Sequence, residues 1–234
     1  MKSIGDIEHT HFINLLSRPD RRVHVENQLH TIGIRSPQRF NAIKMDSGAV
    51  GCSMSHLRIL EDAKKNDWDH VLIVEDDILF TNPSLFVTQF NAFLSRHGDD
   101  FDVVLIAGNN FGPFKQVDST CVRITKCQTT TGYLVRKHYY DTLIQNIKVG
   151  LLHLMREPHK HNLYAIDKYW LRLQEPNKWF LITPLTVTQR EDYSDIEHRP
   201  TNYSNVMLTL DKAAILQRQR DAKTLRSIGI FQFQ

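Results

Sequence analysis

His70-Val71-Leu72-Ile73-Val74-Glu75-Asp76-Asp77-Ile78-Leu79-Phe80 is the stretch on which the fold turns. Four apolar residues, Val71 to Val74, run straight into three acidic ones, and three apolar residues follow. An unbroken apolar run of this length, mostly β-branched, is the pattern of a strand buried on both faces, as in parallel sheets. Three carboxylates cannot all share that burial, because an unpaired ionised carboxylate costs far more than its neighbours return. The triplet therefore belongs at the carboxyl edge of the sheet, where α/β proteins keep their ligand crevice. Hard oxygen donors so placed suit Mn²⁺ or Mg²⁺, shared with substrate phosphates. A solvated acidic turn is the plainer alternative, and it fits poorly between two apolar runs.

The flanking sequence supports the same class. Residues 11–16 read as a first strand. A helix follows with Ser17 as its cap and Asp20 in its first turn, carrying Val23, Val25 and Leu29 as far as Gly33. Strand, tight turn and helix in that order open an α/β sheet. Residues 39–42 form a short second strand. Residues 51–65 form a helix with Cys52, His56, Ile59, Leu60 and Ala63 on one face. After the triplet, Asn82-Pro83 is a helix start, Asn as cap and Pro at the first helical position. That helix turns Phe86, Phe90, Phe93 and Leu94 inward and ends at His97-Gly98. Further strands are expected at 102–107, 121–127, 129–135, 179–182 and 185–188, and helices at 137–147 and 166–173. Segments 108–113 and 157–161 read as loops.

The expected fold is an α/β domain over residues 1–204, with a basic helical tail over 205–234. A composition of 41% hydrophobic and 24% charged residues in 234 is that of a globular chain. The net charge of +3 is too small, and its positives too scattered, for a nucleic-acid partner. The first six residues lack the apolar core of a signal peptide, and no apolar run reaches membrane-spanning length. Cys52, Cys121 and Cys127 form no Cys-x-x-Cys pair, which fits a reducing, cytoplasmic setting. The tail bases Lys212, Arg218, Arg220, Lys223 and Arg226 offer a peripheral contact to an anionic membrane bearing a lipid-linked acceptor. Without a wide apolar stripe, a solvated helix or dimer contact is the stronger reading. The pairs His9-x-His11 and His159-x-His161 lack a fixed third ligand and are set aside as zinc sites.

One family shares these features in order. The residues are Phe12-Ile13-Asn14-Leu15 with Arg18-Pro19-Asp20-Arg21-Arg22, Gly48-Ala49-Val50-Gly51-Cys52-Ser53-Met54-Ser55-His56, and Glu75-Asp76-Asp77. Thr130-Thr131-Gly132-Tyr133-Leu134, Ile166-Asp167 and Ser194-Asp195-Ile196 follow. In these the chain resembles the glycosyltransferase family 25 proteins, the group of lipooligosaccharide galactosyltransferases and procollagen galactosyltransferase domains. The resemblance implies a GT-A-like fold, a Rossmann-like mixed sheet with helices on both faces. It implies a UDP-sugar donor (UDP-galactose or UDP-glucose), a glycan, lipid-linked or protein-linked acceptor, and Mn²⁺ or Mg²⁺ on the diphosphate.

By motif position, Glu75, Asp76 and Asp77 are the acidic set, with Asp77 on the metal and Glu75 positioning nucleotide or metal-bound water. The set reads Glu-Asp-Asp and departs from a strict Asp-x-Asp. Asn14 and Leu15 fall where this fold seats the nucleoside. Arg18, Arg21 and Arg22 are candidates for the diphosphate, against a solvated place for the latter two on the first helical turn. Ser55, His56 and Thr131 are candidates for donor contact, with a core role as the alternative for His56. Gln189, at the end of a late strand, offers a carbonyl oxygen to the metal. Asp195 is expected to order a loop over the donor. Asp167 is the candidate base for an inverting displacement, with helix capping as its alternative. Two other functions share the acidic strand end: a metal-dependent phosphohydrolase or nucleotidyltransferase, and a non-catalytic nucleotide-sugar-binding module. The remaining motifs and the retention of all three carboxylates weigh against them.

Overall fold

The computed structural model describes residues 1–194 and 199–212. The chain opens with β1 (Thr10–Asn14), α1 (Pro19–Thr31), β2 (Gln38–Asn41) and α2 (Gly48–Lys65). The deciding stretch becomes β3 (His70–Glu75), an acidic turn and β4 (Ile78–Phe80), followed by α3 (Pro83–His97). Next come β5 (Val103–Leu105), β6 (Asn109–Asn110), β7 (Phe114–Gln116), β8 (Cys121–Ile124), β9 (Cys127–Gln128) and β10 (Gly132–Arg136). A helical stretch follows: α4 (Tyr140–Arg156), α5 (His161–Tyr164), α6 (Ile166–Tyr169) and α7 (Leu171–Gln174). The chain continues through β11 (Trp179–Ile182), β12 (Val187–Gln189), β13 (Asp192–Ser194), β14 (Arg199–Thr201) and α8 (Ser204–Met207).

Eight strands form one mixed sheet in the order β2-β1-β3-β10-β5-β11-β8-β7. β3 lies between β1, to which it is parallel, and β10, to which it is antiparallel. Its alternation supplies both faces. Leu72 and Val74 enter a core with Val25 and Leu29 of α1 and the α3 phenylalanines. Val71 and Ile73 enter a second core with Ile59 and Leu60 of α2 and Leu143 and Ile147 of α4. Val71 through Val74 are wholly inaccessible, each worth about 1.5–3 kcal/mol of apolar burial. The expected mixed sheet with helices on both faces is therefore present.

Local departures from the sequence expectations have identifiable causes. Pro19 takes the first position of α1, so Arg18, not Ser17, sits at the cap, and Val23 faces water. The expected 121–127 strand breaks into β8 and β9, because the Lys126 carbonyl turns to accept from the amides of Phe111 and Gly112. Helix α4 runs nine residues past 147, through Gly150, where a Cβ would stand 2.8 Å from the Tyr169 ring. That glycine lets α6 approach, and the expected 166–173 helix is two short ones, α6 and α7. The histidine-rich 157–161 stretch is helical in short turns, not an open loop. The Asn82 cap is as expected, its side chain accepting from the Leu85 amide at 3.1 Å.

The start of the tail packs on the domain: Met207 is buried against Thr188, and Lys212 reaches the Asn110 carbonyl. The rest of the tail, including Arg218, Arg220, Lys223 and Arg226, lies outside the described residues, as does Asp195. Among the described residues no helix is long and apolar enough to cross a membrane.

Candidate active site at the carboxyl end of β3

β3 ends in the middle of the sheet, so its acidic residues emerge between the carboxyl end of β1 and the start of β10. Strand alternation splits the set. Glu75 follows Val71 and Ile73 toward α2, and Asp76 turns to the α1 side.

On the α1 side, Asn14 at the end of β1 donates to Asp76 Oδ2 at 2.7 Å, and its own oxygen accepts from Arg39 at 3.0 Å. Arg21 Nη1 lies 3.1 Å from Asp76 Oδ1 and 3.4 Å from Asp77 Oδ2. Burial raises the Asp76 carboxyl above its ordinary range, against the opposing pull of Asn14 and Arg21. Asp192 gathers arginines from three places: Arg18 at 2.7 Å, Arg21 at 3.3 Å and Arg190 at 3.8 Å.

On the α2 side, Glu75 Oε1 accepts from Thr130 at 2.8 Å and lies 3.5 Å from His56 Nε2 and 3.6 Å from Cys52 Sγ. The amide of Gln189 donates to Glu75 Oε2 at 3.3 Å. Burial pushes the Glu75 carboxyl up, but the neighbouring His56 and Thr130 hold it below its ordinary value. His56 is completely buried, and its Nδ1 meets the Tyr133 hydroxyl at 2.9 Å.

Asp77 stands between the two sides. Its carbonyl accepts from the Arg190 amide at 2.7 Å, so β12, paired to β4, ties the turn down. Its Oδ1 is buried without a hydrogen-bond partner among the described residues. Burial, with Glu75 and Asp76 beside it, pushes the carboxyl up to about 8 despite Arg21. A buried carboxylate oxygen with no partner, in surplus negative charge, fits a hard divalent cation.

Asp167 opens α6 and accepts from the Thr129 amide at 3.2 Å, with Lys168 at 3.6 Å. Burial raises it, and Glu75 adds to the rise. Thr129 has φ +80°, a conformation costing about 1–3 kcal/mol in a non-glycine residue and concentrated at functional sites. Its hydroxyl meets that of Thr131 at 2.7 Å, and the Thr131 carbonyl accepts from the Glu75 amide at 3.0 Å.

Most of the residues singled out from sequence therefore converge: Asn14, Arg18, His56, Glu75, Asp76, Asp77, Thr131, Asp167 and Gln189. Leu15 is half-buried, and its carbonyl closes the turn to Arg18. Ser55 is buried and uses its hydroxyl on backbone, donating to Gly51 and accepting from Ile43. Arg22 pairs with Glu26 on the exposed face of α1, while Arg21 turns into the site. Sequence reasoning missed Asp192, Thr130 and Arg39. Thr130 lay within a quoted motif, but no local pattern marks Asp192 or Arg39.

A glycosyltransferase family model matches part of this chain. It is the model of glycosyltransferase family 25 (LPS biosynthesis protein), matched over residues 42–153, and it bears out the resemblance carried by the motifs. The matched span holds α2, the acidic set and the Thr130–Gly132 segment; Asn14, Asp167, Gln189 and Asp192 lie outside it. No curated protein matches the chain. Among solved structures, mannose-1-phosphate geranyltransferase from Thermus thermophilus is similar at 9% identity and TM-score 0.46, over 78% of this chain and 74% of that one. A glycosyltransferase involved in glycosylation of the major capsid of PBCV-1 is similar at 10% identity and TM-score 0.44, over 76% and 83%. The nucleoside-diphosphate-sugar pyrophosphorylase of Vibrio cholerae shows 18% identity and TM-score 0.37, over 78% and 76%. Of these comparisons, the family match bears on function and the distant likenesses do not.

Proposed function

We propose that the chain transfers a hexose, galactose or glucose, from a UDP-sugar to a hydroxyl of a glycan, lipooligosaccharide or protein-linked acceptor, with inversion and with Mn²⁺ or Mg²⁺ bound. The observation that carries this reading is Asp77, a partly buried carboxylate with a buried Oδ1, unpartnered among the described residues, and a raised proton affinity, beside Glu75 and Asp76. Asp77 and Glu75 would hold the ion, with the Gln189 carbonyl oxygen as a further ligand. When bound there, such an ion offsets the charge gathering on the departing diphosphate.

The chain's own residues do the rest. Arg21 positions Asp76 and Asp77, and Asn14 fixes Asp76 from the other side. Arg18, anchored on Asp192, stands at the mouth of the nucleotide crevice. Asp167 takes the acceptor proton as the acceptor oxygen bonds to the sugar's anomeric carbon and the bond to UDP breaks. A base with raised proton affinity suits that step, worth about 10²–10⁴-fold in rate. The Thr129 amide orients the Asp167 carboxylate.

The test is UDP release from a panel of UDP-sugars with Mn²⁺, Mg²⁺ or EDTA. One donor should turn over in metal and none in EDTA; release indifferent to sugar identity would point to a phosphohydrolase. Asp167→Asn is expected to abolish transfer while leaving metal-dependent UDP binding intact, and undiminished turnover would remove Asp167 from the role of base.

A further inference from the structure

Cys52 and His56 lie one turn apart on α2, and both face Glu75. The thiol sulfur, His56 Nε2 and a Glu75 oxygen all lie within 4.8 Å of one another. Nε2 stands 3.5 Å from Glu75 Oε1, and Sγ stands 3.6 Å from the same oxygen. A tetrahedral centre with zinc–sulfur, zinc–nitrogen and zinc–oxygen bonds of ordinary length separates its ligand atoms by about 3.3–3.7 Å. The two separations from Glu75 therefore already stand close to the spacing of a zinc site.

A second observation points the same way. His56 is wholly inaccessible, yet beyond the 3.5 Å approach to Glu75 its Nε2 has no hydrogen-bond partner among the described residues, and it is aimed at this cluster. Its other nitrogen is fixed by the Tyr133 hydroxyl, the outer contact that orients a metal-bound histidine. The mixed sulfur, nitrogen and oxygen set differs in kind from the oxygen-rich Asp77 surroundings and favours a softer ion than Mg²⁺. The other comparable group, His97, Asp118 and Cys121, offers no such nitrogen, because His97 Nε2 is already bonded to Asp118 at 2.9 Å.

We infer that Cys52, His56 and Glu75 form a zinc-binding site next to the donor crevice, with its fourth position open. Binding displaces the Cys52 thiol proton to solvent, leaves the thiolate, neutral imidazole and carboxylate as ligands, and involves no redox change. On the transferase reading above, zinc held here takes Glu75 away from the donor and inhibits.

Co²⁺, which accepts tetrahedral zinc geometry, is the probe, added to the full chain without donor or acceptor. A thiolate-to-cobalt charge-transfer band should appear in the near ultraviolet, disappear on adding Zn²⁺, and be lost in Cys52→Ser. Tyr133→Phe, with all three ligands intact, should weaken zinc about 10–100-fold. In the wild-type chain, Zn²⁺ but not Mg²⁺ should slow alkylation of Cys52 at least about tenfold, read by peptide mapping. That arm decides alone if Cys52→Ser fails to fold by circular dichroism. A cobalt spectrum without the band, a band that survives in folded Cys52→Ser, or alkylation indifferent to zinc overturns the site. None of these readings depends on sugar transfer, so they stand or fall apart from it.

Discussion

Asp118 and Asp77 are both partly buried aspartates at strand boundaries, and the chain treats them in opposite ways. Asp118 has every oxygen engaged: Oδ1 accepts from the amide and hydroxyl of Thr120 at 2.7 and 2.6 Å, and Oδ2 meets His97 at 2.9 Å and Arg96 at 3.4 Å. Burial opposes its ionisation, but these partners win and hold it well below the ordinary carboxylate range. Asp77 has one guanidinium at 3.4 Å, two acidic neighbours and an oxygen with no partner among the described residues, and is pushed up to about 8. The lesson is that saturation marks a structural carboxylate, while a deficit left in place marks one kept for a ligand.

The sharpest way to break the comparison is Asp77→Asn. It should cost at least about 10²–10³-fold in sugar transfer, measured by UDP release. The same change should stabilise the metal-free protein at alkaline pH, by about 2 kcal/mol in urea melts at pH 8.5. A variant destabilised yet unchanged in transfer per folded molecule would place Asp77 with Asp118. Arg21→Ala comes next. It strips a buried partner from Asp76, Asp77 and Asp192, and should cost about 3 kcal/mol, whereas Arg22→Ala, on the exposed face, should stay within about 0.5 kcal/mol. Equal losses would erase the distinction between the two arginines.

Asp118→Asn should destabilise by about 1–2 kcal/mol with transfer per folded molecule unchanged. The pH dependence of thermal melting separates the two aspartates by sign. Asp77 has a folded value near 8 against an ordinary 3.8, so its protonated form contributes stability below about pH 4 that is lost as pH rises through 8. Mn²⁺ should therefore raise the melting temperature more at pH 8 than at pH 5. Asp118 is depressed, so its contribution is present above its ordinary 3.8 and is lost as pH falls below that value. Asp77→Asn should flatten the alkaline limb alone, and Asp118→Asn the acid limb alone.

What the sequence made legible follows from what is local. Val71 to Val74 announced a doubly buried strand because both faces needed apolar residues, and Asn82-Pro83 announced a helix start because cap and φ are set by neighbouring residues. Gln189 was placed correctly as the end of a strand reaching the acidic turn. The pairing of Asp192 with Arg18 and Arg21 was not legible. It depends on a hairpin folding back over 171 to 174 residues, and charge pairs leave no periodic trace at that range. The sorting of Arg21 from Arg22 likewise needed the rotation of α1, which Pro19 set one residue later than the Ser17 reading.

The tie between the acidic turn and the late chain bears on the order of assembly. The eight-stranded sheet is complete at Ile182, yet the turn is finished only by Gln189, Arg190 and Asp192. These are contacts of very long sequence separation, which form late because loop closure must come first. As the chain is synthesised, a sheeted body precedes a competent crevice, and a polypeptide cut between Ile182 and Val187 keeps every strand of that sheet while lacking the residues that complete its acidic turn.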